Sequence, residues 1–179
     1  MHLFLTILLG LLGLVVLLLI AALFVKKEYS VERDIAINKP KLIVFNYLKQ
    51  LKNQDNFSKW TLMDPNMKKE FRGTDGTVGF VSAWDSVEKN VGKGEQEIKK
   101  ITDGERINYE IRFIKPFAGI ANAYLSTISG SNNQTMVTWG FDSKMKYPMN
   151  LIFLFMNMEK MIGNDLETGL SNLKTLMEK

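Results

Sequence analysis

The chain has no cysteine and one histidine in 179 residues. Without a thiol there is no disulfide framework, no thiolate nucleophile and none of the usual zinc sites. The lone histidine, His2, sits at the edge of an apolar run, so serine- and cysteine-hydrolase triads and histidine-ligated metal sites are excluded by inventory. No metal and no cofactor are expected. Phosphate-cradling loops are absent too: Gly92-Lys93-Gly94 falls inside a strand pattern and reads as a bulge or bend. Charge of one sign is also scarce, with 23 Lys and Arg against 19 Asp and Glu, a formal +4. Lysines and glutamates alternate from Lys93 to Lys100, which describes a solvated face and not a nucleic-acid footprint. Attraction to an anionic membrane surface needs no more charge than this.

What is present begins with Leu3 to Val25, a stretch without a charged residue. At about 1.5 Å per residue it covers the roughly 30 Å of a bilayer's hydrocarbon core. A cleaved secretory signal would need a basic start, a shorter apolar core of about 7–15 residues and a small-x-small cleavage site; only Ala21-Ala22 approaches the last. Residues 1–27 are therefore expected to form a single-pass transmembrane anchor. Lys26 and Lys27 close the segment and Arg33, Lys39 and Lys41 follow, while only the terminal amine and His2 precede it. Positive charge stays inside, so the C-terminal domain should face the cytoplasm at the cell's inner membrane.

Residues 28–179 have the length of one domain. Val31 to Ile37 has a strand pattern, and Asn38-Lys39-Pro40 reads as a helix start, with Asn38 as cap, for a helix reaching about Leu51. Gln54 to Asn66 is irregular or a short second helix. From Met67 to Lys146, six strand patterns are broken by Gly73-Thr74-Asp75-Gly76, Asp103-Gly104 and Gly130-Ser131-Asn132-Asn133, which makes an antiparallel meander. The last thirty residues, from Tyr147-Pro148, read as one long helix carrying Phe155, Ile162, Leu166 and Leu173 on its apolar face. That helix has to lie across the sheet, since nothing else covers either element's apolar side.

This order resembles the α+β helix-grip fold of the SRPBCC superfamily, which includes START-like domains and the polyketide cyclase/dehydrase group. The local matches are Ile35–Pro40 running into Val44-Phe45, Trp60 with Asp64-Pro65, Gly76-Thr77-Val78-Gly79 before Trp84, and Met161–Leu170 before Leu173-Lys174. They mark a fold and carry no catalytic signature. The resemblance implies a curved sheet wrapped on the C-terminal helix, with a deep cavity between them for an apolar or amphipathic small molecule. The membrane helix departs from most soluble members.

Candidate residues follow from that expectation. Trp60, Trp84, Tyr109, Tyr124 and Trp139 offer aromatic surface with polar handles, as pocket walls do. Phe155 and Ile162 belong to the helix face. Glu159, about 40° from the centre of that face, either reaches the cavity, pairs with a basic strand residue such as Arg112, or stays at the stripe's edge. Asp165, at the flank, is expected to cap or to bridge to the sheet. The apolar loop from Lys115 to Ile120, with Phe117, and the methionine cluster that includes Met149 are candidates for the rim. Three functions remain open: a tethered, lipid-binding type of module, a cyclase- or dehydratase-type enzyme using Glu159 or Tyr109 as acid or base, and an interaction protein with no ligand. The first needs apolar walls, the second a carboxylate or tyrosine aimed into a sizeable cavity, and the third a filled core.

Overall fold

The structure is a computed structural model and describes residues 2–179. Helix α1 (His2–Phe24) is about 35 Å long at 1.5 Å per residue. It is long and apolar enough to cross a membrane. Ala22 is its only buried residue, so the helix projects from the rest of the molecule and touches it through its last turns alone.

Strand β1 (Glu28–Ile37) starts four residues after α1 ends, and helix α2 (Lys41–Lys49), a 3-10 turn (Leu51–Asn56) and the short helix α3 (Lys59–Met63) follow. Then come strands β2 (Lys68–Arg72), β3 (Val81–Asp85), β4 (Lys93–Thr102), β5 (Arg106–Lys115), β6 (Gly119–Ser129) and β7 (Thr135–Lys144). A second 3-10 segment (Met149–Leu154) leads into helix α4 (Met158–Met177). The seven strands form one antiparallel sheet in the order β1-β7-β6-β5-β4-β3-β2, a meander closed at one edge by the first strand. This is the α+β helix-grip arrangement.

Alternation along each strand decides its two faces. On β5, Ile107, Tyr109, Ile111 and Phe113 turn inward and Arg106, Asn108, Glu110 and Arg112 turn outward. On β6, Ala121, Ala123, Leu125 and Thr127 are buried, while Tyr124 takes the outward parity. Asn132 and Asn133 supply the positive φ, 54° and 63°, that turns β6 into β7, as asparagine tolerates better than most residues. The core is filled at one end of the sheet, where Ile37, Ile98, Ile107, Leu125 and Val137 meet Val44 and Leu48 of α2 and Leu170 and Leu173 of α4.

Two local expectations need correction. Asn38 does not cap α2. Its side chain accepts from Gln134 Nε2 at 2.6 Å, its N–H donates to Glu178 Oε1 at 2.7 Å, and Pro40 takes the cap position without a side-chain bond. The long helix begins at Met158 with Asn157 as cap, and not at Tyr147-Pro148. The segment between is held elsewhere: Asn150, fully buried, donates its amide to the carbonyls of Ala22 (2.7 Å) and Val25 (3.1 Å), and Tyr147 Oη donates to Leu19 O at 3.2 Å. Met145 N–H donates to Lys27 O at 2.7 Å. An α-helix leaves its last four carbonyls without partners, and here a distant loop supplies donors for the end of α1.

Candidate functional site

The other end of the sheet is not filled. Between sheet and α4 lies a cavity of about 260 Å³. Its sheet wall is Ile111, Phe113, Ala123, Trp139 and Phe141, and Ile162 and Leu166 of α4 close the opposite side. The stretch Leu51–Thr61 forms a third wall through Leu51, Gln54, Asp55, Ser58, Trp60 and Thr61. Trp84 and the loop residues Asn90 and Val91 complete it toward β3 and β4. Asn90 alone among the lining residues is exposed, which puts the mouth at the β3–β4 loop.

Aromatic contacts set the shape. Trp60 and Trp139 meet edge-to-face at 6.2 Å, Phe57 and Trp139 at 5.7 Å, and Trp84 and Phe113 at 6.3 Å. Such pairs favour tilted geometries because the ring face is negative and its edge positive. Trp84 Nε1 donates to Val91 O at 3.2 Å, which fixes the indole against the mouth loop. Glycine permits the close approach on two sides. A Cβ at Gly94 would lie 2.7 Å from both Arg112 O and Trp84 Cζ2, and one at Gly169 would lie 2.7 Å from Trp139 Cζ3. The expected bulge is here as well: Gly92 has φ +65°, and the β4–β5 register shifts between Lys93 and Gly94.

Polar side chains, among them Gln54, Asp55, Ser58, Thr61, Ser82 and Gln96, share the lining with the aromatic rings. Asp55 pairs with Lys69 at 2.7 Å. Asp165 pairs with Lys59 of α3, clamping that helix to α4 and not to the sheet. Gln54 Nε2, in a residue 8 % exposed, and the buried Tyr109 hydroxyl have no hydrogen-bond partner. Desolvation by burial pushes Tyr109 above the usual phenol range, so it is neutral.

Of the sequence candidates, Trp60, Trp84, Trp139 and Ile162 come together on the cavity. The others do not. Tyr109 faces inward but is sealed in the core, 1 % exposed, outside the lining. Arg112 has the outward parity and joins Glu95 (2.7 Å), Glu97 (2.8 Å) and Glu110 on the convex face, with Arg72 contributing to the same cluster through Glu95 and Glu70. Hydrogen bonds from Arg112 hold the Glu95 and Glu97 carboxyls below the usual range. Tyr124 is also convex-facing: it lies across Gly140 to donate to Glu32, with Arg106 stacked 3.4 Å over its ring. Burial, then its bond to Glu32, pushes it up to about 12.

Glu159 is exposed in the first turn of α4 and is no part of the lining. Phe155, 78 % exposed, precedes the helix; Glu159 shares the phase of Leu166, but full burial along α4 begins only at Gly163, so its turn lies beyond the packed part of the helix. Phe117 and Met149 are exposed and stand outside the lining. Alternation along β5 and β6 carries the signal that turns Arg112 and Tyr124 outward. Gln54, Asp55, Ser58 and Thr61 come from a stretch whose sequence has no periodicity to mark them.

No sequence-family profile matches the chain, and no curated protein matches it. Solved structures do resemble it. A protein from Chromobacterium violaceum superposes with a TM-score of 0.59 at 13 % identity, over 84 % of this chain and 97 % of that one. A major latex-like protein from Panax ginseng gives 0.55 at 11 % identity, over 85 % and 99 %. The Aha1 dimer from Colwellia psychrerythraea gives 0.56 at 15 % identity, over 84 % and 96 %. At these identities the likeness is one of fold.

Proposed function

We propose that the chain is a membrane-tethered binding domain for a small apolar or amphipathic, lipid-like molecule held between the sheet and α4. One observation carries the reading: the half of the sheet nearest α1 encloses a cavity walled by Trp60, Trp84, Trp139 and Phe113, where a packed core would place side chains. An engineered cavity of about 150 Å³ holds benzene, and drug-sized pockets begin near 300 Å³. A volume of about 260 Å³ suits a ring-bearing or short-chain molecule, such as an isoprenoid fragment, and is too small for a whole phospholipid. In this reading α1 spans the membrane, residues 28–179 fold as one cytoplasmic domain, and Lys26 and Lys27 set the orientation.

The acid–base alternative has lost its named groups. Glu159 is exposed, Tyr109 is sealed, and the one cavity-lining carboxylate, Asp55, is paired with Lys69. A ligand-free scaffold would have closed the cavity, because unfilled apolar volume costs about 24 cal/mol per Å³.

The test is mass spectrometry of small molecules released from the detergent-extracted full chain, beside displacement of the neutral dye N-phenyl-1-naphthylamine. Binding predicts a co-purifying apolar compound that competes with the dye. A chain that carries none and leaves dye emission unchanged refutes the reading. A reporter fused after Lys179 should score cytoplasmic, and a score on the other side of the membrane overturns the orientation.

A further inference from the structure

Helix α1 touches the domain only through its last turns, and those turns are bonded to the segment around Asn150. The carbonyls that receive the bonds belong to Leu19, Ala22 and Val25, residues that are still inside the uncharged stretch. Residues 147–156 therefore sit at the depth of the final turns of the span, at the boundary between hydrocarbon and headgroups. Yet this segment exposes Leu154, Phe155 and Met156.

Strand register brings further apolar tips to the same end. Glu28 pairs with Lys144, Ala121 with Ser143 and Gly119 with Phe113, so the start of β1, the end of β7 and the β5–β6 turn share one end of the sheet. Lys93 pairs with both Asp85 and Lys115, which adds the β3–β4 loop. At the tips of these turns stand Phe117, 69 % exposed, and Val87, 92 % exposed. The lysines Lys26, Lys27, Lys115 and Lys146 are exposed around them. Exposed apolar tips ringed by lysine are the composition of an interfacial membrane contact. The β6–β7 turn at the opposite end of the sheet has a polar tip, Ser131, Asn132 and Asn133, and the exposed Ile128 and Leu42 at that end lie far from the carbonyls that end α1.

We propose that this end of the domain, through Phe117, Val87, Leu154 and Phe155, is embedded in the headgroup region of the same bilayer that α1 crosses, with the cavity mouth at Asn90 held against lipid. The inference rests on the membrane-spanning reading of α1 and adds a second, independent contact. It turns the tether into a fixed orientation, because Asn150 ties the segment to the end of α1. The occupant is lipid, because the bonded carbonyls place the surface at bilayer depth before any other partner can reach it.

The chain lacks cysteine, so single thiols can be introduced without background. Full-length Val87→Cys, Phe117→Cys, Phe155→Cys, Ser131→Cys and Leu11→Cys, each labelled with an environment-sensitive dye, would be reconstituted into vesicles of phosphatidylethanolamine and phosphatidylglycerol carrying nitroxide lipids. The dyes at positions 87, 117 and 155 should shift to the blue and lose most of their emission to headgroup-level nitroxides. Position 11 should be quenched by nitroxides deep in the acyl chains, and position 131 should stay bright. Quenching at position 11 with none at 87, 117 and 155 overturns this proposal and leaves the anchor standing. If position 11 also escapes quenching, the anchor reading falls and the proposal with it. A blue shift at position 155 that follows protein density and ignores the nitroxides would put a second copy of the chain on the patch, which also refutes it.

Discussion

Ala123→Leu separates a binding cavity from an ordinary core by the sign of its effect. Ala123 is 4 % exposed, faces Tyr109 and Phe141 in register, and lines the cavity. Leucine adds three apolar carbons, each contributing about 0.8 kcal/mol when buried, or about 2.4 kcal/mol together. Fixing the longer side chain's rotamer costs about 0.5–1 kcal/mol. The net is about 1.5 kcal/mol of added stability, which for a domain of this size raises Tm by about 3–6 °C. In a packed interior the same change would overpack and cost about 1–3 kcal/mol. Denaturation of delipidated protein in mild detergent, beside titration with N-phenyl-1-naphthylamine, reads both quantities. The expected outcome is a raised midpoint with dye binding weakened or lost. A lowered midpoint with dye binding intact would refute both the empty volume and its role.

Glu159→Gln should change neither the denaturation midpoint, within about 0.5 kcal/mol, nor dye retention, as befits an exposed first-turn residue; a large loss in either assay would contradict its placement. Gly94→Ala should destabilise by about 1–3 kcal/mol in the same denaturation assay, since the new Cβ meets Arg112 O and the Trp84 ring at 2.7 Å. The Arg112 cluster predicts a pH dependence. Glu95 and Glu97 titrate below the ordinary 4.5 in the folded state, so their stabilisation is complete above about pH 4.5 and is lost as pH falls below it. Arg112→Met leaves Glu95, Glu97 and Glu110 crowded together; it should destabilise at neutral pH and flatten the acid limb of a melting-temperature profile, and an unchanged profile would contradict the cluster's role.

Element order was legible because alternation and helical spacing are local and strong in this chain. The Arg106–Lys115 strand alternates without a break, and Ile162, Leu166 and Leu173 mark the α4 face from sequence alone. Legibility failed where a distant partner decided the outcome. Met149–Leu154 carries on the apolar pattern of the helix after it, yet Asn150 is drawn to the carbonyls that end α1 and the segment winds as a 3-10 turn. Phe155 thereby leaves the helix face, whereas Glu159 keeps the phase of Leu166 and is exposed because full burial along α4 begins only at Gly163. Depth was invisible as well. Tyr109 and Ala123 are neighbours across the same inner face, but alternation says which way a side chain points and not whether space or core lies beyond it.

The sheet order carries a consequence for biosynthesis. Strand β1 is the first to be made, and its only strand partner among the described residues is β7. Between Ile37 and Thr135 the ribosome adds roughly a hundred residues, which at about 5–20 residues per second takes about 5–20 s. Throughout that interval Val31, Ile35 and Ile37 stand unpaired on a strand held four residues from the end of α1. Closing this pair spans almost the whole domain, so it belongs to the slow, non-local class of folding events. A nascent chain of this protein therefore presents a bare strand edge until its seventh strand is made, and whatever shields that edge in the meantime governs how much of it reaches the native state.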